Sequence, residues 1–297
     1  MSKDQILTLI ARRTDRDGLT ETGIEGLRLF RATQSIPCVP AVYDPCIVAI
    51  VSGAKEAILD GERFVYDSAR YLCCPMSMPV KAGTPAASPE APLYGVFLSL
   101  NARLMSELGL ELDRAGHALP AAESGGRSPG IQLARWEPDF TDALLRLLEL
   151  GNSPTDTAIL GQARLRELYY AILKGEAGAF ARRAFSAGNA MARVIAHLSD
   201  HLDAPVSIDD LAARAGMSRA AFHRRFKQAT RMAPVQFVKS MRLNKAAMKI
   251  ASGATVNAAA QEVGYVSPSQ FSREFKRHYG QSPRQWAEAQ QLALGAL

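Results

Sequence analysis

One short pattern occurs twice near the end of this 297-residue chain, and it leaves few folds open. Gly216-Met217, Ser218, Phe222, Phe226 and Pro234 recur as Gly264-Tyr265, Ser267, Phe271, Phe275 and Pro283. The offset is 48 residues up to the glycine and 49 beyond it, so one inserted residue, Val266, falls in the second turn. In each copy small apolar residues precede a glycine that can take the sharp bend of a two-helix corner. Ser218 and Ser267 are placed to cap a following helix, and Pro268 stands at the first helical position, where no amide donor is needed. Phenylalanines four residues apart share a face and turn it inward, leaving the opposite face free.

That free face holds Arg219, Ala220, His223, Arg224 and Lys227 in the first copy. In the second it holds Ser269, Gln270, Ser272, Arg273, Lys276 and Arg277. Arg and Gln can each make two hydrogen bonds to a base edge, whereas Lys suits phosphates. Charge supports this reading. From Arg182 to Leu297 there are 17 Lys and Arg against 7 Asp and Glu, and from Met1 to Ala181 there are 18 against 22. Positive potential is thus confined to the segment with the repeat, as phosphate binding requires. Between the copies, Val235 to Ser252 carries Leu243, Ala246, Ala247 and Ile250 on one stripe and ends at Gly253, which predicts a continuous spacer helix. Arg242, Lys245 and Lys249 on it either touch phosphates or solvate its outer face. Rigidly spaced heads could read adjacent major-groove segments, about 34 Å apart.

Residues from about Ala190 to Ala287 resemble the DNA-binding domain of the AraC/XylS transcription regulators, including Arg242-Leu243-x-x-Ala246 and the closing Gly280-x-Ser282-Pro283. The resemblance implies that Ala220, His223 and Arg224, with Ser269, Gln270 and Arg273, approach bases, and Arg219 on the same free face is assigned to bases with them. Lys227, Ser272, Lys276 and Arg277 are then assigned to phosphates. One departure stands out: Arg231 occupies the position equivalent to Gly280. If that position needs positive φ, the exit from the first reading helix is altered.

The first 180 residues read differently. Leu29 to Ala32, Cys46 to Val51, Glu56 to Leu59, Arg63 to Tyr66, Arg70 to Cys73 and Tyr94 to Leu98 are short apolar or alternating runs. Gly53, Asp60-Gly61, Asp67-Ser68, Pro75, Pro79 and Pro85 punctuate them, and Asp60-Gly61 is a strong hairpin signal. A small antiparallel barrel or sandwich is expected. Val42-Tyr43-Asp44-Pro45, Gly53-x-Lys55, Tyr71-Leu72 and Ala87-Ser88-Pro89-Glu90-x-Pro92 resemble the cupin-like N-terminal domain of one AraC subfamily. That resemblance implies a barrel that binds a small effector or transmits a signal.

The expected class is therefore α+β: an arm or helix over 1–22, a cupin-like barrel over 23–110, a loop and helical pair over 111–175, a linker over 176–188 and an all-α domain over 189–297. The two helix-turn-helix units fall at about 208–228 and 256–277. Gly116 to Gly130 reads as a loop. Amphipathic stripes through Phe140, Leu144, Leu147 and Leu148, and through Leu165, Leu168, Tyr169 and Ile172, mark the helical pair. In the family such helices commonly form a dimer contact.

Enzyme chemistry finds little footing. The histidines are His117, His197, His201, His223 and His278, none within the barrel, which disfavours a metal-dependent cupin. His197 and His201 lie one turn apart without an evident third ligand, so no metal and no cofactor is expected. All four cysteines, Cys38, Cys46, Cys73 and Cys74, fall in the barrel. Adjacent Cys73 and Cys74 on a strand must face opposite ways, one into the core and one outward. They are either small space-fillers or an electrophile or oxidant sensor. With no signal peptide and no spanning apolar run, a cytoplasmic chain with reduced thiols is expected.

The resulting expectation is a sequence-specific regulator that binds double-stranded promoter DNA as a homodimer, without membrane association, under small-molecule or electrophile control. RNA polymerase is a further candidate partner. The alternatives are a DNA-binding regulator without small-molecule control, and a cupin-type enzyme fused to a DNA-binding module. An open polar barrel interior argues for ligand sensing, and a side-chain-filled one against it.

Overall fold

The structure, a computed structural model, describes residues 2–117, 130–186 and 188–288. Most of the stretch expected as a loop, Gly116 to Gly130, lies outside the described residues. The chain begins with helix α1 (Ser2–Arg13), followed by strands β1 (Gly18–Glu21), β2 (Leu27–Ala32), β3 (Ile36–Tyr43), β4 (Cys46–Ser52), β5 (Ala54–Leu59), β6 (Glu62–Asp67), β7 (Arg70–Cys74), β8 (Met78–Thr84) and β9 (Leu93–Ser99). Helix α2 (Ala102–Arg114), strand β10 (Gln132–Arg135) and helices α3 (Pro138–Glu149), α4 (Pro154–Lys174) and α5 (Gly178–Phe185) complete the N-terminal half.

The strands form two antiparallel sheets, ordered β1-β2-β9-β4-β7-β10 and β3-β8-β5-β6. Alternation places Cys46, Val48, Ile50, Leu72 and Cys74 of the first sheet against Val42, Ala57, Leu59, Tyr66 and Val80 of the second. Buried side chains line this interior, and among them the hydroxyls of Tyr43 and Tyr66 lie 2.9 Å apart. The other face of the larger sheet is covered too. Ile47, Ala49, Tyr71 and Cys73 join one core with Phe140, Leu144 and Leu147 of α3 and Ile6 and Ile10 of α1. Tyr71 stacks on Phe140 at 4.4 Å. The strand pattern as read therefore holds for β2, β4, β5, β6, β7 and β9, and the Asp60-Gly61 turn takes positive φ at both residues, as a two-residue hairpin requires.

Three expectations need correction. Pro79 reads as a break but lies within β8, and β3, absent from the runs read as strands, carries Pro37 and Pro40 on a sheet edge. Pro79 lies where β8 pairs only with β3, before the register with β5 begins at Lys81, so no ladder needs the missing donors on both sides. Cys73 does face away from Cys74, but into the helical layer rather than to solvent; both are fully buried. The segment expected as a linker contains α5, whose Arg182 is buried and held by Asp113 and by the His117 carbonyl at 2.6 Å. A buried guanidinium is tolerable only when paired in this way.

The C-terminal part consists of α6 (Ala190–Asp200), α7 (Ile208–Arg214), α8 (Arg219–Thr230), α9 (Pro234–Ala251), α10 (Val256–Glu262) and α11 (Pro268–Tyr279), with further helix over 283–288. Ser207, Ser218, Thr255 and Ser267 each cap the helix that follows by accepting a backbone N–H. The 18-residue helix α9 is the spine. At one end Phe237 meets Phe226 edge-on at 5.2 Å. At the other, Leu243, Ala246, Ala247 and Ile250 pack on the core of the second unit, where Trp286 donates to the Ala247 carbonyl.

The two corner glycines differ in what they must avoid. Gly216 and Gly264 both have positive φ, but a Cβ on Gly264 would lie 2.6 Å from the Asp203 carbonyl oxygen, whereas one on Gly216 would meet nothing within 4 Å. Gly216→Ala is expected to cost about 1 kcal/mol, from backbone strain alone. Gly264→Ala should cost clearly more, because rigid backbone must also move. Equal melting temperatures for the two variants would contradict this.

Candidate nucleic-acid interface

The two helix-turn-helix units are built alike. Phe222, Phe226, Phe271 and Phe275 are fully buried, and the rings within each pair lie 5.4 Å apart. Because these anchors share one face of each second helix, Arg219, Ala220, Arg224 and Lys227 are exposed on α8, with His223 half-buried at its side. On α11, Ser269, Gln270, Arg273, Lys276 and Arg277 are exposed and Ser272 is half-buried. All eleven residues proposed for DNA contact therefore lie on two capped helices anchored to a common spine.

Local bonds divide them. Arg219 pairs with Asp209 of the preceding helix at 3.2 Å. Gln270 donates to Glu274 at 3.2 Å, and the Ser269 and Ser267 hydroxyls lie 3.0 Å apart. Among the described residues Arg224, Lys227, Arg273, Lys276 and Arg277 have no ion pair, so their cations are available to an external anion. Glu274 is a fixed point beneath this surface. Burial alone would raise its pKa, but bonds from Lys239, Gln270 and Tyr265 hold the carboxyl below its ordinary range. The spacer helix spends two of its three noted cations internally: Arg242 donates to the Ala204 carbonyl at 2.8 Å, and Lys249 pairs with Glu262.

The departure at Arg231 leaves the helix exit intact. Arg231 has φ 66° and Gly280 φ 78°, and each N–H donates to the carbonyl four residues earlier at 2.8 Å. The backbone is the same, at a cost of roughly 1–2 kcal/mol for a residue with a Cβ. The Arg231 side chain leaves its own domain, pairing with Glu62 of the β5–β6 hairpin and lying 5.9 Å from the Phe64 ring centre.

Sequence reasoning missed this contact between halves. Helix α9 lies against β3 and β8, and buried Asn244 donates to the carbonyls of Ala41 at 2.8 Å and Val80 at 2.9 Å. Tyr279 of α11 donates in turn to the Asn244 side-chain oxygen at 2.5 Å. The Val42 N–H points at the Met248 sulfur, 3.2 Å away. The edge strand of the smaller sheet is thereby covered by the spacer helix. Only the arginine at a glycine position hinted at any of this. A cleft of about 540 Å³ opens beside the contact, lined by Asp60, Lys81, Lys227, Arg231, Asn244 and His278 among others.

The remaining candidates lie elsewhere. Cys46, Cys73 and Cys74 are buried and only Cys38 is part-exposed; all four are free. Burial raises the pKa of Cys46 and Cys73, and burial with the nearby Glu56 raises that of Cys38. Also missed was Lys55, which shares the inward face of β5 with Ala57 and Leu59. Its ammonium lies 4.2 Å from the Phe30 ring centre, and burial pushes its pKa down to about 8. The rings of His197 and His201 are 4.4 Å apart. Among the described residues no group of three His, Cys, Asp or Glu side chains could hold a metal, and no helix is long and apolar enough to cross a membrane.

Two capped helix-turn-helix units on one spine, joined to a double-sheet domain, define a DNA-binding regulator of the two-domain type. The model of the AraC-type transcriptional regulator N-terminus matches residues 23–180, over half the chain, and a helix-turn-helix domain model matches 211–289. The chain belongs to the AraC-type transcriptional regulators. It is 31% identical over 91 residues to the regulatory protein SoxS of Escherichia coli, covering 30% of this chain and 85% of SoxS. An uncharacterized HTH-type transcriptional regulator of Haemophilus influenzae is 42% identical over 86 residues, 29% of each chain, so the match spans under a third of that relative. Apo ToxT from Vibrio cholerae shares the fold with a TM-score of 0.60 at 12% identity, over 92% of this chain and 98% of that one.

Proposed function

We propose that this regulator reads a specific promoter sequence with α8 and α11 and does so as a homodimer under effector control. The observation that carries the reading is the pair of helix faces opposite the buried phenylalanines, where unpaired Arg224, Lys227, Arg273, Lys276 and Arg277 stand beside Gln270, Ser269 and Ala220. Arg273 and Gln270, in the first turns of α11, have the donors for guanine and adenine edges. Ala220 offers only apolar contact, for instance to a thymine methyl. Lys227, Lys276 and Arg277, further along, suit phosphates.

The roles separate by experiment. Arg273→Ala is expected to weaken binding to a selected promoter duplex by about 1–3 kcal/mol and to relax preference at one position, with little change on random DNA. Lys227→Ala should weaken both duplexes alike and lower the salt slope by about one. Equal loss on both duplexes for Arg273→Ala would remove its base-reading role.

Dimerisation is supported by α4. Ile159 and Tyr170, eleven residues apart on one helical stripe, are exposed, as is Leu110 of the adjoining α2. These large apolar side chains fit a self-complementary contact. Ile159→Asp is expected to shift the chain to monomer in sedimentation velocity with its circular dichroism unchanged; an unaltered dimer would place the contact elsewhere.

Effector control has a different support from that expected. Buried apolar side chains line the space between the sheets, and the thiols other than Cys38 are buried and poorly placed for an electrophile. The reading is supported by the cleft of about 540 Å³ between the two halves, where Lys81 and Lys227 offer cations to an anion. ToxT, similar in fold, has been solved with an unsaturated fatty acid bound.

A further inference from the structure

We propose that the acidic β5–β6 hairpin is a brake on the first reading helix, engaged through Arg231. The proposal rests on the DNA-binding reading above and adds to it a state in which the barrel holds that helix back.

The hairpin turn carries Asp60 and Glu62. It meets the C-terminal end of α8, where Lys227 and Arg231 follow one another by one helical turn. Glu62 pairs with Arg231, whose guanidinium also faces the Phe64 ring, and Asp60, Lys227 and Arg231 line the same cleft. The hairpin thus sets a carboxylate on Arg231 and another, Asp60, on the cleft that Lys227 also lines. Arginine at this backbone position is unfavourable on its own account, since the second copy uses Gly280 for the same turn. A residue kept in left-handed backbone where glycine would serve points to a task for its side chain. The contact with Glu62 is that task.

The tie does not act alone. Asn244 fixes the middle of α9 to β3 and β8, and Tyr279 connects Asn244 to the end of α11. The second unit is thus seated by buried hydrogen bonds, while the first shares a buried apolar cluster with the sheet domain and is held besides by an ion pair whose partners are 25% and 48% exposed. The ion pair is the exposed part of that attachment, and a polyanion can compete for it directly. Full engagement of α8 then requires phosphates to displace the hairpin from Arg231.

The test uses the full-length chain, a fluorescent random-sequence duplex and anisotropy titrations over a range of salt. Glu62→Gln and Glu62→Lys leave every residue assigned to DNA unchanged, and circular dichroism checks the fold. Both variants are expected to bind roughly threefold or more tightly than the wild type, Glu62→Lys the more so, because an exposed ion pair shifts an equilibrium a few-fold. Their salt slope should steepen by about one as Arg231 becomes free for a phosphate. Wild-type binding that neither variant improves overturns the brake and leaves the DNA-binding reading standing. If neither the wild type nor the released variants bind duplex at low salt, both are overturned.

Discussion

Burial of four phenylalanine rings is the constraint from which the rest of this molecule follows. Phe222 and Phe226, and Phe271 and Phe275, can leave water only if α8 and α11 each turn the same face inward. Each ring contributes several kcal/mol by being buried, far more than any hydrogen bond on the opposite face. The orientation of the basic residues is therefore settled by the buried rings on the opposite face of each helix. Ser218 and Ser267 start the helices at the right place, and Gly216 and Gly264 bend the chain so that the rings reach their cores.

The spacer helix carries this arrangement into the rest of the protein. One end of α9 belongs to the core around Phe226 and Phe237, the other to the core around Phe275 and Trp286, so neither head can turn without disturbing the other. The middle of the same helix lies on β3 and β8 through Asn244. A displacement in the smaller sheet is thereby passed to both heads by one rigid element.

Much of this was legible in the sequence, for reasons that differ by region. The C-terminal units announced themselves because the same capping serine, glycine and phenylalanine spacing occurs twice, and local chemistry decides those features. Strands with clean alternation were also legible, and so was the Asp60-Gly61 turn. Strands β3 and β8 were not, since proline in a strand is acceptable only at an edge or outside the ladder, and edges are a property of the assembled sheet. Helix α5 hid behind a Gly- and Ala-rich composition, its stability depending on Arg182 finding Asp113 and the His117 carbonyl some seventy residues away in sequence. The bonds of Asn244 to Ala41 and Val80 are equally long-range. Only Arg231, standing where its repeat has glycine, marked the contact between the halves, and it marked a position without naming the partner.

The central claim is that two reading helices on one rigid spine address one duplex. Selection of bound sequences from a random duplex pool by the full-length chain tests it most directly. Two short, unlike elements separated by about one helical turn, roughly 10 base pairs centre to centre, are the expected result. A single contiguous element, or a pool that acquires no sequence preference, would contradict it.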